Sequence, residues 1–131
     1  MAEEFHIEVS KTARYYTLKP KLEFNSVLFV IHGYRQLAKH FIKRFEPLTE
    51  LGIMVVAPEG LNRFYVEGYD GRVGASWMTK EDRETDIKDY LGYLNKLHSS
   101  LDIPNHLPID ILGFSQGGPT ACRWLVESKM N

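Results

Sequence analysis

Residues 109–118 read IDILGFSQGG, an apolar run that ends in a Gly-Phe-Ser-Gln-Gly pentapeptide centred on Ser115. The run is typical of a strand covered on both faces, and the residues behind it, with Pro119 in the first turn, are typical of a helix start. Gly113 and Gly117 allow a sharp turn from strand to helix, which lifts the serine hydroxyl clear of the backbone. The stretch predicts a nucleophilic serine at the carboxyl edge of a sheet. The alternative is a tight packing turn with an idle serine.

Two further apolar runs, at residues 27–31 and 53–57, have the same continuous character. Amphipathic stripes with helical spacing lie between the three runs. One covers residues 37–48, where Pro47 predicts a kink or an early end, and the other covers residues 87–97. Strands that alternate with helices in this way predict an α/β fold with a mostly parallel sheet and helices on both faces.

The remaining segments follow other patterns. Residues 5–9 alternate between apolar and polar, and the aromatic-rich residues 13–18 follow a polar turn, so an N-terminal antiparallel hairpin is predicted at one sheet edge. Residues 58–78 mix glycines with aromatics and predict a long irregular loop, which either walls a substrate pocket or packs its aromatics on the scaffold. Within it, Arg63 and Arg72 could meet an acidic substrate, although scattered arginines are usually solvated.

The predicted strand at residues 27–31 is followed by His32, Gly33 and Tyr34. In a sheet of this kind the loop after that strand lies opposite the turn that carries the serine. The backbone N–H groups of Tyr34 and Gln116 are therefore predicted to form an oxyanion hole. Gly33 would let the chain approach a substrate closely. Arg35 is the alternative donor to Tyr34, and the alternative for the whole loop is an ordinary connection with a hydrogen-bonded histidine.

Composition narrows the classes of protein further. A chain of 131 residues predicts one domain, 1–131. With 16 basic and 17 acidic residues, the composition lacks the excess of positive charge that indicates nucleic-acid binding. Cys122 is the only cysteine, and the acidic N-terminus has no apolar run like that of a secretory signal, so we expect a cytoplasmic protein. The longest apolar run is too short to span a bilayer. Neither a metal-binding cluster of Cys and His nor a phosphate-binding glycine motif occurs, so no metal and no cofactor is expected.

The motifs at residues 32–33 and 113–118 resemble those of the phospholipase/carboxylesterase family, which includes acyl-protein thioesterases. Residues 57–60 also resemble the family's Ala-Pro followed by an acidic or small residue, and the resemblance extends over about residues 27–124. It implies an α/β-hydrolase fold and hydrolysis of a small-molecule carboxylic ester or thioester through an acyl-enzyme, without a metal or an organic cofactor. It also implies that Ser115 is the nucleophile and that the oxyanion hole is the one described above.

The chain departs from the family pattern after Ser115. In the family order, the acid and the base of the catalytic triad come from loops behind later strands, and only residues 116–131 follow here. None of the histidines present is a convincing base: His6, His32, His40, His98 and His106. Because loss of the serine–histidine unit lowers kcat by about 10⁶, we expect the isolated chain to be nearly inert.

Three explanations of this departure are open. The chain is a C-terminally incomplete part of a longer protein, which we favour; or a second chain supplies the missing groups; or the chain is a non-catalytic remnant. In each case the apolar strand at residues 109–114, central in the family fold, is expected to form an exposed sheet edge. The alternative function is therefore a non-catalytic interaction module that pairs through this edge, with a partner or as a homo-oligomer.

Overall fold

The computed structural model describes residues 1–128; residues 129–131 of the predicted domain lie outside this part. In chain order the elements are β1 (Tyr15–Leu18), β2 (Ser26–Ile31), α1 (Ala38–Phe41), a 3-10 helix (Ile42–Leu51), β3 (Ile53–Pro58), β4 (Asn62–Tyr65), β5 (Val73–Ser76), α2 (Arg83–Ser100), β6 (Ile109–Gly113) and α3 (Gly117–Glu127). Four strands form the central sheet in the order β1-β3-β2-β6. β2 pairs in parallel with β3 and β6, whereas β1 pairs antiparallel with β3. The predicted mostly parallel α/β fold is confirmed.

Both faces of the sheet are covered, as the continuous apolar runs predict. On β2, Phe29 and Ile31 point to one core cluster, which contains Tyr90 and Leu94 of α2 and Trp124 of α3. Val30 of the same strand points to a second cluster with Phe41 and Ile42 from α1 and the 3-10 helix. Successive side chains of a strand face opposite ways, so the two clusters lie on opposite faces and each is covered by helices.

The first amphipathic stripe forms two helical pieces rather than one kinked helix. α1 has a single turn, and the chain then continues as a 3-10 helix that contains Pro47 and ends at Leu51. Gly52 follows with φ of 79°, a conformation that glycine adopts without steric cost. Pro47 therefore does not end the element that contains it; the regular α-helix instead ends at Phe41, before the proline.

The first strand of the predicted N-terminal hairpin is absent, whereas the second forms as β1, an antiparallel strand at one edge of the central sheet. Residues 1–14 form no strand, and Phe5, Ile7 and Val9 are exposed. β1 pairs instead with β3, with Tyr15 opposite Pro58. The physical reason is that alternation only stabilises a strand whose apolar side has a surface to cover, and the three apolar side chains of residues 5–9 have none here.

An antiparallel hairpin does occur within residues 58–78, where the sequence predicted an irregular loop. β4 and β5 pair over four residues on each strand, with Asn62 opposite Ser76. Trp77 directly follows β5 and is buried at the centre of the first core cluster. Its indole packs edge-on against Tyr90, so this aromatic serves the scaffold rather than a substrate pocket.

β6 is an edge strand of the central sheet, because its only strand partner within residues 1–128 is β2. Leu112 is exposed on it, as is Phe114 just beyond its end. The predicted exposed edge at residues 109–114 is thus present. Across residues 1–128, no helix combines the length and the apolar character needed to cross a membrane.

Candidate active site

Ser115 lies on the turn between β6 and α3 with φ of 55°, in the left-handed region that serine rarely adopts. Its side chain is exposed. A Cβ on Gly113 would overlap the carbonyl oxygen of Gly117, and a Cβ on Gly117 would overlap the carbonyl oxygen of Ile31. Both glycines next to the turn are therefore required by close backbone packing. A Cβ on Gly118 would meet nothing within 4 Å, so the close approach of α3 to the sheet depends on Gly117.

Backbone hydrogen bonds fix this turn against the end of β2. The Phe114 N–H donates to the Ile31 carbonyl oxygen at 3.0 Å, and the Gly117 N–H donates to the Phe114 carbonyl oxygen at 2.8 Å. The N–H of Gln116, directly after Ser115, has no hydrogen-bond partner within residues 1–128. It lies at the start of α3, where free N–H groups favour a negative charge.

The loop after β2 lies in contact with this turn. A Cβ on Gly33 would be 3.0 Å from the Phe114 carbonyl oxygen, so the glycine permits the close approach between the two segments. The Gly33 N–H donates to Gln36 Oε1 at 2.6 Å, and the Arg35 N–H donates to the Ala75 carbonyl oxygen at 3.0 Å.

Tyr34 is the remaining candidate donor of this loop. Its N–H has no hydrogen-bond partner in the part of the chain that the structure describes, whereas the N–H of Arg35, the alternative, is occupied. The Tyr34 ring is partly exposed and stacks on Phe64 of β4 with ring centroids 5.2 Å apart. The geometry therefore leaves two free backbone donors, on Tyr34 and Gln116, at the carboxyl ends of neighbouring parallel strands.

His32 is fully buried and both of its ring nitrogens are occupied. Nε2 accepts from the Gly60 N–H at 2.9 Å, so Nδ1 carries the proton and donates to the Gly33 carbonyl oxygen at 2.7 Å. Burial lowers the pKa of His32 below 6.5 and outweighs the opposing effects of that carbonyl and of Glu59. His32 thus stays neutral and ties the loop after β2 to the loop after β3. A free base for Ser115 is not available here.

Residues 73–78 connect the two loops of the site. Ala75 donates to the Gln36 carbonyl oxygen at 3.0 Å, in addition to accepting from Arg35. At the other end, the Gln116 side chain accepts from the Trp77 N–H at 2.9 Å and donates to the Met78 carbonyl oxygen at 2.8 Å. The segment after β5 is therefore bonded to the residue that follows Ser115, a contact that no local sequence pattern indicates.

In the part of the chain that the structure describes, the other histidines make no contact that would identify one of them as a base for Ser115. No histidine among residues 1–128 forms a hydrogen bond with the serine. His98 on α2 packs near Phe29, and burial lowers its pKa. His106 precedes β6 and so lies at the opposite end of that strand, and His40 is exposed on α1.

His6 lies on the N-terminal segment, where its Nε2 is 3.0 Å from Asp82 and 3.1 Å from Glu4. This exposed group is the one combination of His, Asp and Glu in the described part of the chain that is close enough to hold a metal ion. Both carboxylates lie next to the same imidazole nitrogen, so their contacts with that ring explain the arrangement without a metal ion.

Glu59 is a buried carboxylate whose environment the sequence did not indicate. Arg14 pairs with it through two nitrogens, Arg63 lies 3.3 Å from Oε2, and the Ala38 N–H donates to Oε1 at 3.2 Å. Arg14 and Arg63 therefore link the N-terminal segment and β4 to Glu59 at the end of the sheet. Tyr93 completes the cluster by donating to the Arg14 carbonyl oxygen, and burial raises its pKa.

Solved structures share this architecture, although no protein-family model and no curated protein matches the chain. A lipase in its open form has a TM-score of 0.60 at 17% identity, over 90% of this chain and 36% of its own. Esterase PE8 has a TM-score of 0.62 at 22% identity, over 87% of this chain and 57% of its own. The chain thus spans about a third of the lipase and somewhat more than half of the esterase. At these identities the likeness concerns the fold alone, which is the α/β-hydrolase fold.

Proposed function

We propose that the chain carries the nucleophile and the oxyanion hole of a hydrolase that cleaves carboxylic esters or thioesters. The observation that carries the proposal is the φ of 55° at Ser115, on an exposed turn between two glycines that the packing requires. Such a conformation costs about 1–3 kcal/mol and clusters at active sites. The lipase and the esterase that share the fold support the choice of an ester bond.

The proposed reaction begins when Ser115 Oγ attacks the carbonyl carbon of the ester. A bond forms between Oγ and carbon, the carbonyl electron pair moves to oxygen, and the hydroxyl proton passes to a general base. The free N–H groups of Tyr34 and Gln116 stabilise the resulting oxyanion, a contribution of about 3–4 kcal/mol for a single such donor. When the tetrahedral intermediate collapses, the alcohol or thiol leaves with the proton, and water then hydrolyses the acyl-serine.

The general base and its acid come, in this proposal, from polypeptide outside residues 1–128 or from a second chain. The support is that His32 is buried, neutral and bonded through both nitrogens, and that no histidine in the described part bonds to Ser115. The isolated chain is then a preformed nucleophile turn without a base. Its rate should fall about 10⁶ below that of a complete triad.

Adding an external base distinguishes a preformed nucleophile site from a serine without a catalytic role. The 131-residue chain is incubated with a fluorophosphonate, with and without imidazole, and its intact mass is measured over time. We expect a single adduct whose rate of formation rises with imidazole concentration. The adduct is lost in Ser115→Ala and kept in Ser99→Ala, a matched control on the exposed side of α2.

Each outcome has a definite meaning for the proposal. No imidazole-dependent adduct on a folded chain, or an adduct that survives Ser115→Ala, contradicts the assignment of the nucleophile. An adduct that forms without imidazole supports the nucleophile but contradicts the expected inertness, because a base must then come from this chain or from another copy of it.

A second candidate function rests on the free edge of β6. This strand exposes its outer backbone together with Leu112, and the neighbouring Phe114 and Leu125 of α3 are also exposed. Apolar edges of this kind pair with other strands, so the candidate is an interaction module that binds a partner or forms a homo-oligomer through residues 109–114. The sedimentation coefficients of the wild type and of Leu112→Lys are compared by analytical ultracentrifugation. A monomeric wild type contradicts homo-oligomerisation.

A further inference from the structure

A cavity of about 490 Å³ lies directly beside the loop that carries Tyr34. Arg35 and Gln36 of that loop form one wall, α1 and the start of the 3-10 helix form another, and Arg72 and Val73 of the hairpin form the third. The cavity is strongly basic, because no acidic residue of the described chain lines it and its titratable side chains are Arg35, Lys39, His40, Arg44 and Arg72. The whole chain, in contrast, has a net charge of −1.

The arginines of the chain divide into two groups by their partners. Four of them donate to a polar group of the protein: Arg14 and Arg63 to Glu59, Arg83 to Glu84, and Arg123 to Tyr90. The other three, Arg35, Arg44 and Arg72, have no side-chain hydrogen bond or ion pair within residues 1–128, and all three line the cavity. Like charges that line one cavity repel one another, and an anion in the cavity would reduce this repulsion.

The backbone at Arg35 supplies an independent observation. Its φ is 77°, a left-handed conformation that is costly for any residue with a Cβ other than Asn or Asp. The conformation is maintained by the hydrogen bond to Ala75, and Gly74 makes it possible, since a Cβ on Gly74 would overlap the Arg35 carbonyl oxygen. The fold thus holds an arginine at a position that would suit glycine better, next to the predicted oxyanion donor.

From these observations we infer that the cavity is an anion-binding subsite for a carboxylate or phosphate carried by the part of the substrate that is not cleaved. Arginine forks bind both groups through paired N–H donors, and Arg35 and Arg72 are exposed residues that line the cavity on two of its walls. Arg35 follows Tyr34 in the chain, so a bound anion would be held by the same loop that carries the proposed oxyanion donor. The assignment to the ester substrate rests on the proposed function, whereas anion binding itself does not.

The test measures binding without catalysis. The ¹⁵N-labelled chain is titrated at constant ionic strength with sodium phosphate, with sodium methyl succinate and with sodium chloride, and amide shifts are followed by two-dimensional NMR. We expect saturable shifts at Arg35 and Val73 with one or both oxyanions and none with chloride. The double variant Arg35→Gln/Arg72→Gln should bind about tenfold more weakly, because it loses two charged donors. Glutamine keeps the same backbone strain as arginine, so the comparison isolates the guanidinium groups.

Lys80→Gln/Arg83→Gln is the matched control, since it removes two charges that do not line the cavity. It should bind within about twofold of the wild type, and the dispersion of each spectrum reports folding. The relative affinity of phosphate and methyl succinate identifies which group the subsite prefers. The inference is overturned if neither oxyanion gives saturable shifts, if chloride gives the same shifts, or if the cavity variant binds like the control. Anion binding without labelling of Ser115 would reject the proposed function and leave the subsite intact.

Discussion

Replacement of Ser115 by glycine should stabilise the protein, and the size of the effect follows from the backbone. The serine has φ of 55°, and its hydroxyl has no hydrogen-bond partner within residues 1–128. A left-handed conformation costs a residue with a Cβ about 1–2 kcal/mol, which glycine avoids. Glycine also gives the unfolded chain more freedom, which removes about 0.4–1 kcal/mol of the gain. The net increase in the free energy of unfolding should be about 0.5–1 kcal/mol.

Ser115→Ala is the reference for this measurement, because alanine lacks the hydroxyl but keeps the Cβ. It should lie within about 0.5 kcal/mol of the wild type, as exposed substitutions usually do. Urea denaturation followed by far-ultraviolet circular dichroism gives the free energies. For a chain of this size, the advantage of the glycine variant corresponds to a rise in Tm of roughly 2–4 °C.

The same pair of substitutions at Ser99 provides the internal control. Ser99 is exposed within α2, where glycine is less stable than alanine by up to about 1 kcal/mol. The order of glycine and alanine should therefore reverse between the two positions. If Ser115→Gly is no more stable than Ser115→Ala, the serine backbone is not under strain, and the reasoning that links this turn to a nucleophile is refuted.

Three further predictions test the surroundings of the serine. Gly117→Ala should lower the free energy of unfolding by about 3 kcal/mol or more in urea denaturation, because its Cβ would overlap backbone atoms of β2; Gly118→Ala, with open space around its Cβ, should cost little. Gln116→Ala should cost about 2–3 kcal/mol by leaving the buried Trp77 N–H and the Met78 carbonyl unpaired, and a cost below 0.5 kcal/mol would contradict that role. Because the pKa of His32 is lowered in the folded chain, His32 is protonated at a higher pH in the unfolded chain than in the folded one. The free energy of unfolding should therefore fall as the pH drops below about 6.5, by at most about 1.4 kcal/mol per pH unit. Comparison of the pH dependence of wild type and His32→Gln isolates this contribution, and equal slopes would rule it out.

The parallel sheet and the turn at Ser115 could be predicted because both depend on local and periodic features. Continuous apolar runs of strand length indicate burial on two faces, and the structure has helices on both. The sequence ranked Tyr34 above Arg35 as the donor, but it could not supply the structural reason that the Arg35 N–H is occupied. That reason is the hydrogen bond between Arg35 and Ala75, residues that lie far apart in the chain.

The errors have the same origin. The alternation in residues 5–9 is a local pattern, but a strand also needs an apolar surface to cover, and the fold offers none. The sequence did not predict the hairpin of β4 and β5, because its position depends on the contact between Gly74 and Arg35 and on the burial of Trp77 in the core. Likewise, the separation of paired from unpaired arginines is visible only in three dimensions.

Backbone strain in the described chain has an uneven distribution that argues for a functional edge. Four residues other than glycine have positive φ, and two of them, Asp82 and Asp102, are aspartates at the ends of α2, where this residue type adopts the left-handed region more readily. The other two are Arg35 and Ser115, residue types without that tendency. Each is accommodated by a glycine whose Cβ would overlap neighbouring backbone, and each lies beside a free or predicted oxyanion donor. Packing alone would favour glycine at both positions, so the serine and the arginine found there support the two proposals made for this edge: a nucleophilic hydroxyl and a guanidinium that binds an anionic group.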